Sequence, residues 1–169
     1  QLSLQFPLMV KPIAEGSSIG MSKCDRLEDL IECIRLAGQY DQEILLETFV
    51  VGEEYTVAIV ADQPLPSIRL TTSRTFYDYS AKYASTDTQY HCPSGLNSAE
   101  EKTIGQLALS AFNALGCRGW GRVDVMRDQK TGAFFLLEVN TVPGMTERSL
   151  VPMASRIKGV PFDQLVLSL

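Results

Sequence analysis

Gly121-Arg122-Val123-Asp124-Val125 and Leu137-Glu138-Val139-Asn140-Thr141-Val142-Pro143-Gly144 are the stretches whose reading decides the fold. Each is a short apolar run broken by two polar side chains spaced two apart: Arg122 and Asp124 in the first, Glu138 and Asn140 in the second. A strand alternates its side chains with a period of 2, so each pair projects from a single face. Arg127-Asp128-Gln129-Lys130-Thr131-Gly132 between them is turn-like and predicts a hairpin. The hairpin gathers three oxygen donors and a guanidinium into one patch. Hard cations such as Mg²⁺ take oxygen ligands and share them with phosphates. An arginine beside them suits a developing oxyanion or a phosphoryl group. A solvated sheet face also alternates polar side chains. Here, however, Trp120, Val123, Val125, Leu136, Leu137 and Val139 predict a largely buried sheet, where bare oxygens need a partner.

The rest of the chain narrows the classes. Its 169 residues suffice for a real core, in one domain or two small lobes. The net charge of −5 argues against a nucleic-acid surface. No apolar run approaches the roughly 20 residues of a membrane span, and Leu2 to Val10 lacks the basic flank and cleavage site of a signal peptide. Cys24, Cys33, Cys92 and Cys117 show no C-x-x-C spacing, and His91 is the only histidine. Buried free thiols in a reducing cytoplasm are therefore expected rather than a zinc site. The chain has no initiator Met and enters a strand, Leu8 to Pro12, almost at once; it reads as a fragment of a longer protein.

Along the chain, the small-residue loop Ala14 to Ser22 precedes a helix expected from Asp25, capped with Glu28 and striped by Leu27, Leu30, Ile31, Ile34 and Ala37. Glu43–Phe49, Glu54–Ala61 and Pro66–Leu70 read as strands. Thr71 to Gly95 is polar and aromatic; loops of that length have a job in compact domains, and a substrate lid is the natural one. Ser98 with Glu101 is expected to cap a helix striped by Ile104, Leu107, Ala108, Ala111, Phe112 and Leu115, which ends at Gly116. Met145–Arg156 and Phe162–Leu169 read as short helices. This mixture, without strict βαβ alternation, predicts an α+β fold with antiparallel sheets.

Other groups carry weaker signals. Lys11 ends a strand just before the Gly-Ser-Ser loop, where it can reach a phosphate; the alternative is a lysine at a sheet edge. It is not a Walker A lysine, because it precedes the glycine. Glu47 and Glu54 flank an apolar turn that would suit an adenine, with a carboxylate for ribose hydroxyls; in isolation they read as exposed acids. Lys82 and Tyr83 lie in the long loop, where a cation can neutralise phosphate charge. Pro143-Gly144-Met145 turns the chain and offers the Gly144 N–H to an oxyanion, or is a plain strand-to-helix turn.

Taken in order, Val10-Lys11-Pro12, Glu15-Gly16-Ser17-Ser18, Phe76-Tyr77-Asp78-Tyr79 with Ala81-Lys82-Tyr83, Gly119 to Met126, Glu138 to Thr146 and Ser149-Leu150-Val151-Pro152 resemble the D-alanine–D-alanine ligases of the ATP-grasp superfamily. The resemblance covers essentially the whole chain. It implies an ATP-grasp fold of two lobes, with residues 1–53 part of the central ATP-binding lobe and 54–169 the C-terminal lobe with its lid at 71–95. It implies that Lys11 and Lys82 contact ATP phosphates. Glu47, Val50 and Glu54 would line the adenosine site, with Phe76 and Leu137 against the base. Asp124, Glu138 and Asn140 would hold two Mg²⁺ ions, with Mn²⁺ as a substitute. Arg122 and the Gly144 N–H would stabilise the oxyanion. Ser17 and Tyr83 would sit near the incoming amine, and Ser149 with Leu150 would bind the carboxylate of the second D-alanine.

The implied reaction phosphorylates one D-alanine carboxylate with ATP and lets the amine of a second D-alanine displace phosphate, in the cytoplasm, for peptidoglycan precursors. The family's N-terminal domain, through which relatives dimerise, is absent from this sequence, so the isolated chain is expected to be a poor catalyst. Ala14 departs from the Arg or other polar residue that many relatives carry there, and Tyr83 favours D-alanine over D-lactate. The alternatives are another carboxylate–amine ligase of the same superfamily and a non-catalytic nucleotide-binding module.

Overall fold

A computed structural model describes residues 4–72 and 88–169. The described residues divide into two compact units, the first holding residues up to Val50 together with Thr72 and Thr88, the second Val51–Thr71 and Gln89–Leu169. In the first, strand β1 (Leu8–Pro12) is the centre of a three-stranded antiparallel sheet, flanked by β2 (Ser22–Cys24) and β3 (Ile44–Thr48). Leu8 and Val10 point to one face and meet Cys24, Cys33 and Ala37 in a small core. Helix α1 (Leu30–Ala37) covers that face.

The expected start of this helix is wrong. A 3₁₀ turn over Leu27–Asp29 precedes it, and neither it nor α1 has a side-chain cap. Asp25 is instead bound to the Lys23 ammonium. The stripe is also rotated: Leu30, Cys33 and Ala37 meet the sheet, while Leu27 and Ile31 face solvent, Ile31 at 80% exposure.

The second unit is built on β4 (Gly52–Val60). The sheet runs β7 (Gln89–His91), β6 (Ile68–Thr71), β4, β8 (Trp120–Asp128), β9 (Phe134–Asn140), with the short β5 (Gln63–Pro64) also on β4. Every pairing is antiparallel, as expected from the sequence. Tyr55, Val57 and Ile59 of β4 and Val123 and Val125 of β8 face helix α2 (Ser98–Ala114), packing on Ile104, Ala108 and Phe112. The opposite face carries Ala58 and Ile68, covered by Val151 and Ala154 of α3 (Leu150–Ile157) and Leu165 of α4 (Phe162–Leu167).

Two local details differ from expectation. The cap of α2 sits one residue earlier, with Asn97 and Glu100 forming the reciprocal capping box. Glu101 is thereby freed to turn inward, where its Oε1 lies 2.7 Å from both the Ser67 and Ser94 hydroxyls. Helix α3 begins at Leu150, not Met145, because Thr146 to Ser149 form a tight turn closed by Ser149 N–H on the Thr146 carbonyl.

The β8–β9 pairing contains a bulge. Asp124 pairs with Glu138 but Val125 pairs with Leu136, so Leu137 has no opposite number. The extra residue resets the alternation of β9. Phe134 and Val139, of opposite parity in sequence, therefore both pack on the α2 side.

Candidate functional site

Ladder register sets the polar face of the second unit. Arg122 stands opposite Ala58 and Asn140, and Asp124 opposite Thr56 and Glu138. All lie on the side of the sheet away from α2, as the period-2 reading requires. Asp124 is buried, yet among the described residues each oxygen accepts from two side-chain donors. Oδ1 accepts from Arg122 Nε at 2.9 Å and Thr56 Oγ1 at 2.6 Å. Oδ2 accepts from Arg122 Nη2 at 2.7 Å and Asn140 Nδ2 at 3.0 Å. The same amide reaches Glu138 Oε1 at 3.4 Å. One amide thus touches both carboxylates, and the three side chains expected to ligate converge.

Among the described residues, no three His, Cys, Asp or Glu side chains gather into a ready-made metal cage. The donor set is two carboxylates and an amide oxygen. That fits Mg²⁺, which is typically held by one or two carboxylates and completes its octahedron with water and phosphate oxygens. Arg122 neutralises Asp124 and is a planar donor for an anion.

Glu54 lies on the same strand face as Thr56, two residues away, opposite Met126 and Leu70. Leu137 occupies the bulge and is partly exposed. Gly144 approaches Ser149 so closely that a Cβ on it would stand 3.2 Å from the Ser149 hydroxyl. That hydroxyl accepts the Thr146 N–H at 2.9 Å and lies 2.9 Å from Thr146 Oγ1. Leu150 packs its side chain against Val151 and its neighbours, so only its backbone is left to meet a carboxylate.

The first unit holds the remaining described positions. Met9 and Lys11 of β1 point away from α1, and Lys11 forms an ion pair with Glu47 of β3. The predicted phosphate contact and the predicted ribose acceptor therefore neutralise each other here. Val50 follows β3. Ser17 and Ser18 both adopt left-handed backbone, at φ 56° and 61°. Non-glycine residues are uncommon there and such conformations concentrate at functional loops. The loop is anchored at its start by Asp41, whose carboxylate accepts the Ala14 N–H at 2.8 Å. Backbone N–H groups of Glu43 and then Ala14 hold that carboxyl below its ordinary pKa. Phe76, Lys82 and Tyr83, with most of the 71–95 lid, lie outside the described residues.

Thr56 is the residue that the sequence reading missed. Its one signal was a hydroxyl in the middle of the apolar run Tyr55 to Val60.

Comparison with known proteins gives a consistent result. A family model described as D-ala D-ala ligase C-terminus matches residues 1–169. The D-alanine–D-alanine ligase of Alcanivorax borkumensis is 56% identical over 166 residues, which are 98% of this chain and 54% of that protein. The ligase of the same name from Alkalilimnicola ehrlichii is 57% identical over 163 residues, 96% of this chain and 52% of that one. Among solved structures, the VanG D-Ala:D-Ser ligase from Enterococcus faecalis superposes with a TM-score of 0.86 at 31% identity, covering 98% of this chain and 49% of that one. A Bacillus anthracis D-alanine–D-alanine ligase complexed with ATP superposes with a TM-score of 0.80 at 28% identity, covering 96% and 50%. The chain spans about half the length of the curated relatives it matches.

Proposed function

Because the chain belongs to the D-alanine–D-alanine ligase family, matching its C-terminal part from end to end, we propose that it is the ATP-grasp portion of a ligase that joins two D-alanine molecules at the expense of ATP. The observation that carries the reading is the convergence of the Asp124 and Glu138 carboxylates on the Asn140 amide, with Arg122 beside them, on one face of an antiparallel hairpin. In this reading residues 1–53 belong to the central ATP-binding lobe and 54–169 to the C-terminal lobe.

The chemistry asks for charge neutralisation. A carboxylate must attack a triphosphate, and both are anions. When bound, Mg²⁺ supplies the Lewis acidity that lets these anions approach. Asp124, Glu138 and Asn140 would hold it. Arg122 offers a guanidinium to the oxygen on which negative charge develops, joined by the Gly144 N–H. Lys11 would exchange Glu47 for a phosphate, leaving Glu47 and Glu54 to the adenosine hydroxyls, with Val50 and Leu137 as apolar walls. The amine of the second D-alanine then attacks the acyl phosphate carbon and phosphate leaves. Ser149 and the Leu150 backbone would receive that substrate's carboxylate, and Ser17 its amine side. Phe76, Lys82 and Tyr83 keep the roles that the family resemblance implies.

The setting follows from the same reading: a cytoplasmic step of peptidoglycan precursor synthesis, with a homodimeric full-length protein and no nucleic-acid or membrane partner. No helix among the described residues is long and apolar enough to cross a membrane.

The test is ATP-dependent D-alanyl-D-alanine formation by the full-length protein, compared with its Asp124→Asn variant. The expected outcome is dipeptide formation by the wild type and a kcat lowered about a hundredfold or more in the variant, as when one preorganised electrostatic group is lost. Wild-type turnover in Asp124→Asn removes the assignment of the hairpin. Phosphate release with other acceptor amines but not D-alanine would select a different ligase, and nucleotide binding without turnover in the full-length protein would select a binding module.

A further inference from the structure

Thr56 stands directly across the ladder from Asp124 and is one of the few buried polar residues among those described. Its neighbours in β4, Tyr55, Val57, Ala58 and Ile59, are all buried and apolar. Valine would fill such a position with the same shape and with no polar group to satisfy. The hydroxyl has two acceptors in reach: the Val123 carbonyl at 3.4 Å and Asp124 Oδ1 at 2.6 Å. The shorter, charge-assisted bond takes the proton.

The two oxygens of Asp124 then differ in what surrounds them. Oδ1 is held from the β4 side by Thr56; Oδ2 faces β9, where the Asn140 amide meets it. Arg122 spans both oxygens, but its side chain is long and partly exposed. Thr56 is β-branched, stiff about χ1 and buried in the middle of a strand. If the guanidinium turns toward an incoming anion, Thr56 remains as the donor that keeps Oδ1 in place.

Resting on the reading of Asp124, Glu138 and Asn140 as metal ligands, we propose that Thr56 is a positioning residue that fixes Asp124 through Oδ1 and so presents Oδ2 to a divalent cation on the β9 side. Hydrogen bonds that orient a metal-binding carboxylate from behind commonly change metal affinity by 10–100-fold.

The experiment titrates Mn²⁺ into the full-length protein with ADP present and follows free Mn²⁺ by electron paramagnetic resonance. Thr56→Val, Thr56→Ser and Asp124→Asn are compared with the wild type, alongside their thermal midpoints. Thr56→Val is expected to weaken Mn²⁺ binding about tenfold without lowering the midpoint, and Thr56→Ser to stay within about twofold of wild type. Wild-type Mn²⁺ affinity in Thr56→Val overturns the proposal, as does equal weakening in Thr56→Ser. Loss of Mn²⁺ in Asp124→Asn with none in Thr56→Val rejects the role of Thr56 alone. Unchanged binding in Asp124→Asn rejects the metal reading, and the role of Thr56 with it.

Discussion

Asp124 accepts from Thr56, Arg122 and Asn140 among the described residues, so what replaces it matters as much as its loss. Asp124→Ala takes a carboxylate from the mostly buried Arg122 guanidinium and leaves the Thr56 hydroxyl to the Val123 carbonyl at 3.4 Å. Breaking a buried ion pair from one side costs about 3 kcal/mol where the survivor keeps some solvent. Asp124→Asn keeps an acceptor oxygen and should cost less than half of that. Urea unfolding of both variants checks the order; equal stabilities would mean that Arg122 finds other partners. Tyr55 supplies a pH signature. Its hydroxyl donates to Glu53 Oε2 at 2.9 Å, and burial, followed by the Glu53 charge, pushes its pKa up to about 12. Below pH 10 both folded and unfolded chains keep the proton. Between pH 10 and 12 only the unfolded chain releases it, so stability falls as pH rises, by roughly 2 kcal/mol from this residue. Tyr55→Phe should show a shallower loss over that window in denaturant midpoints, and parallel curves would contradict the assignment. At this scale the sequence was informative where alternation decides direction, as for Arg122, Asp124, Glu138 and Asn140. It could not show Thr56 as a partner, because cross-strand neighbours depend on a register that links positions 68 residues apart.

The hairpin depends on a close approach at its first strand. A Cβ on Gly121 would lie 2.5 Å from the Phe112 ring and 2.9 Å from the Asn140 carbonyl. Gly121→Ala must therefore push β8 away from α2 or away from β9. Overpacking of this kind costs about 2 kcal/mol, and displacement of Asn140 should also weaken Mn²⁺ binding. Thermal unfolding with an Mn²⁺ titration reads both, and an unperturbed variant would show that the helix yields instead. The bulge makes a second test. Deleting Leu137 leaves Phe134 and Glu138 three positions apart, so plain alternation keeps them on opposite faces; the deletion variant is expected to fold and to keep its Mn²⁺ binding, and loss of either would show that the bulge itself is needed. No hydropathy pattern announced that bulge, since Phe134-Phe135-Leu136-Leu137 is apolar throughout. The stripe of α1 was legible only in part for a related reason: Leu30 and Ala37 meet the sheet as expected, whereas Leu27 and Ile31 do not. Leu27, Ile31 and Ile34 form one apolar stripe and Leu30, Cys33 and Ala37 another, and composition alone does not say which one meets the sheet.

The two units differ in how much they bury. The first has one small core around Val10, whereas the second packs both faces of its sheet, through Phe112 on one side and Ala154 on the other. Local opening follows buried apolar contact, so amides of β4 and β8 should exchange with deuterium far more slowly than those of β1. Hydrogen-exchange mass spectrometry tests this, and slower exchange in Leu8–Pro12 would reverse the order. Antiparallel sheets and the positions of most strands were legible in the sequence because turn signals and alternation are local. The order β7-β6-β4-β8-β9 was not, being set by pairings between distant segments. One part of that sheet has a practical consequence. Ser67 and Ser94, 27 positions apart, are tied to each other at 2.8 Å and to Glu101 of α2 below the β6–β7 pair. This knot holds the ends of β6 and β7 to α2 through side chains that lie outside the connecting sequence, so substitutions in that connection leave the anchor itself untouched.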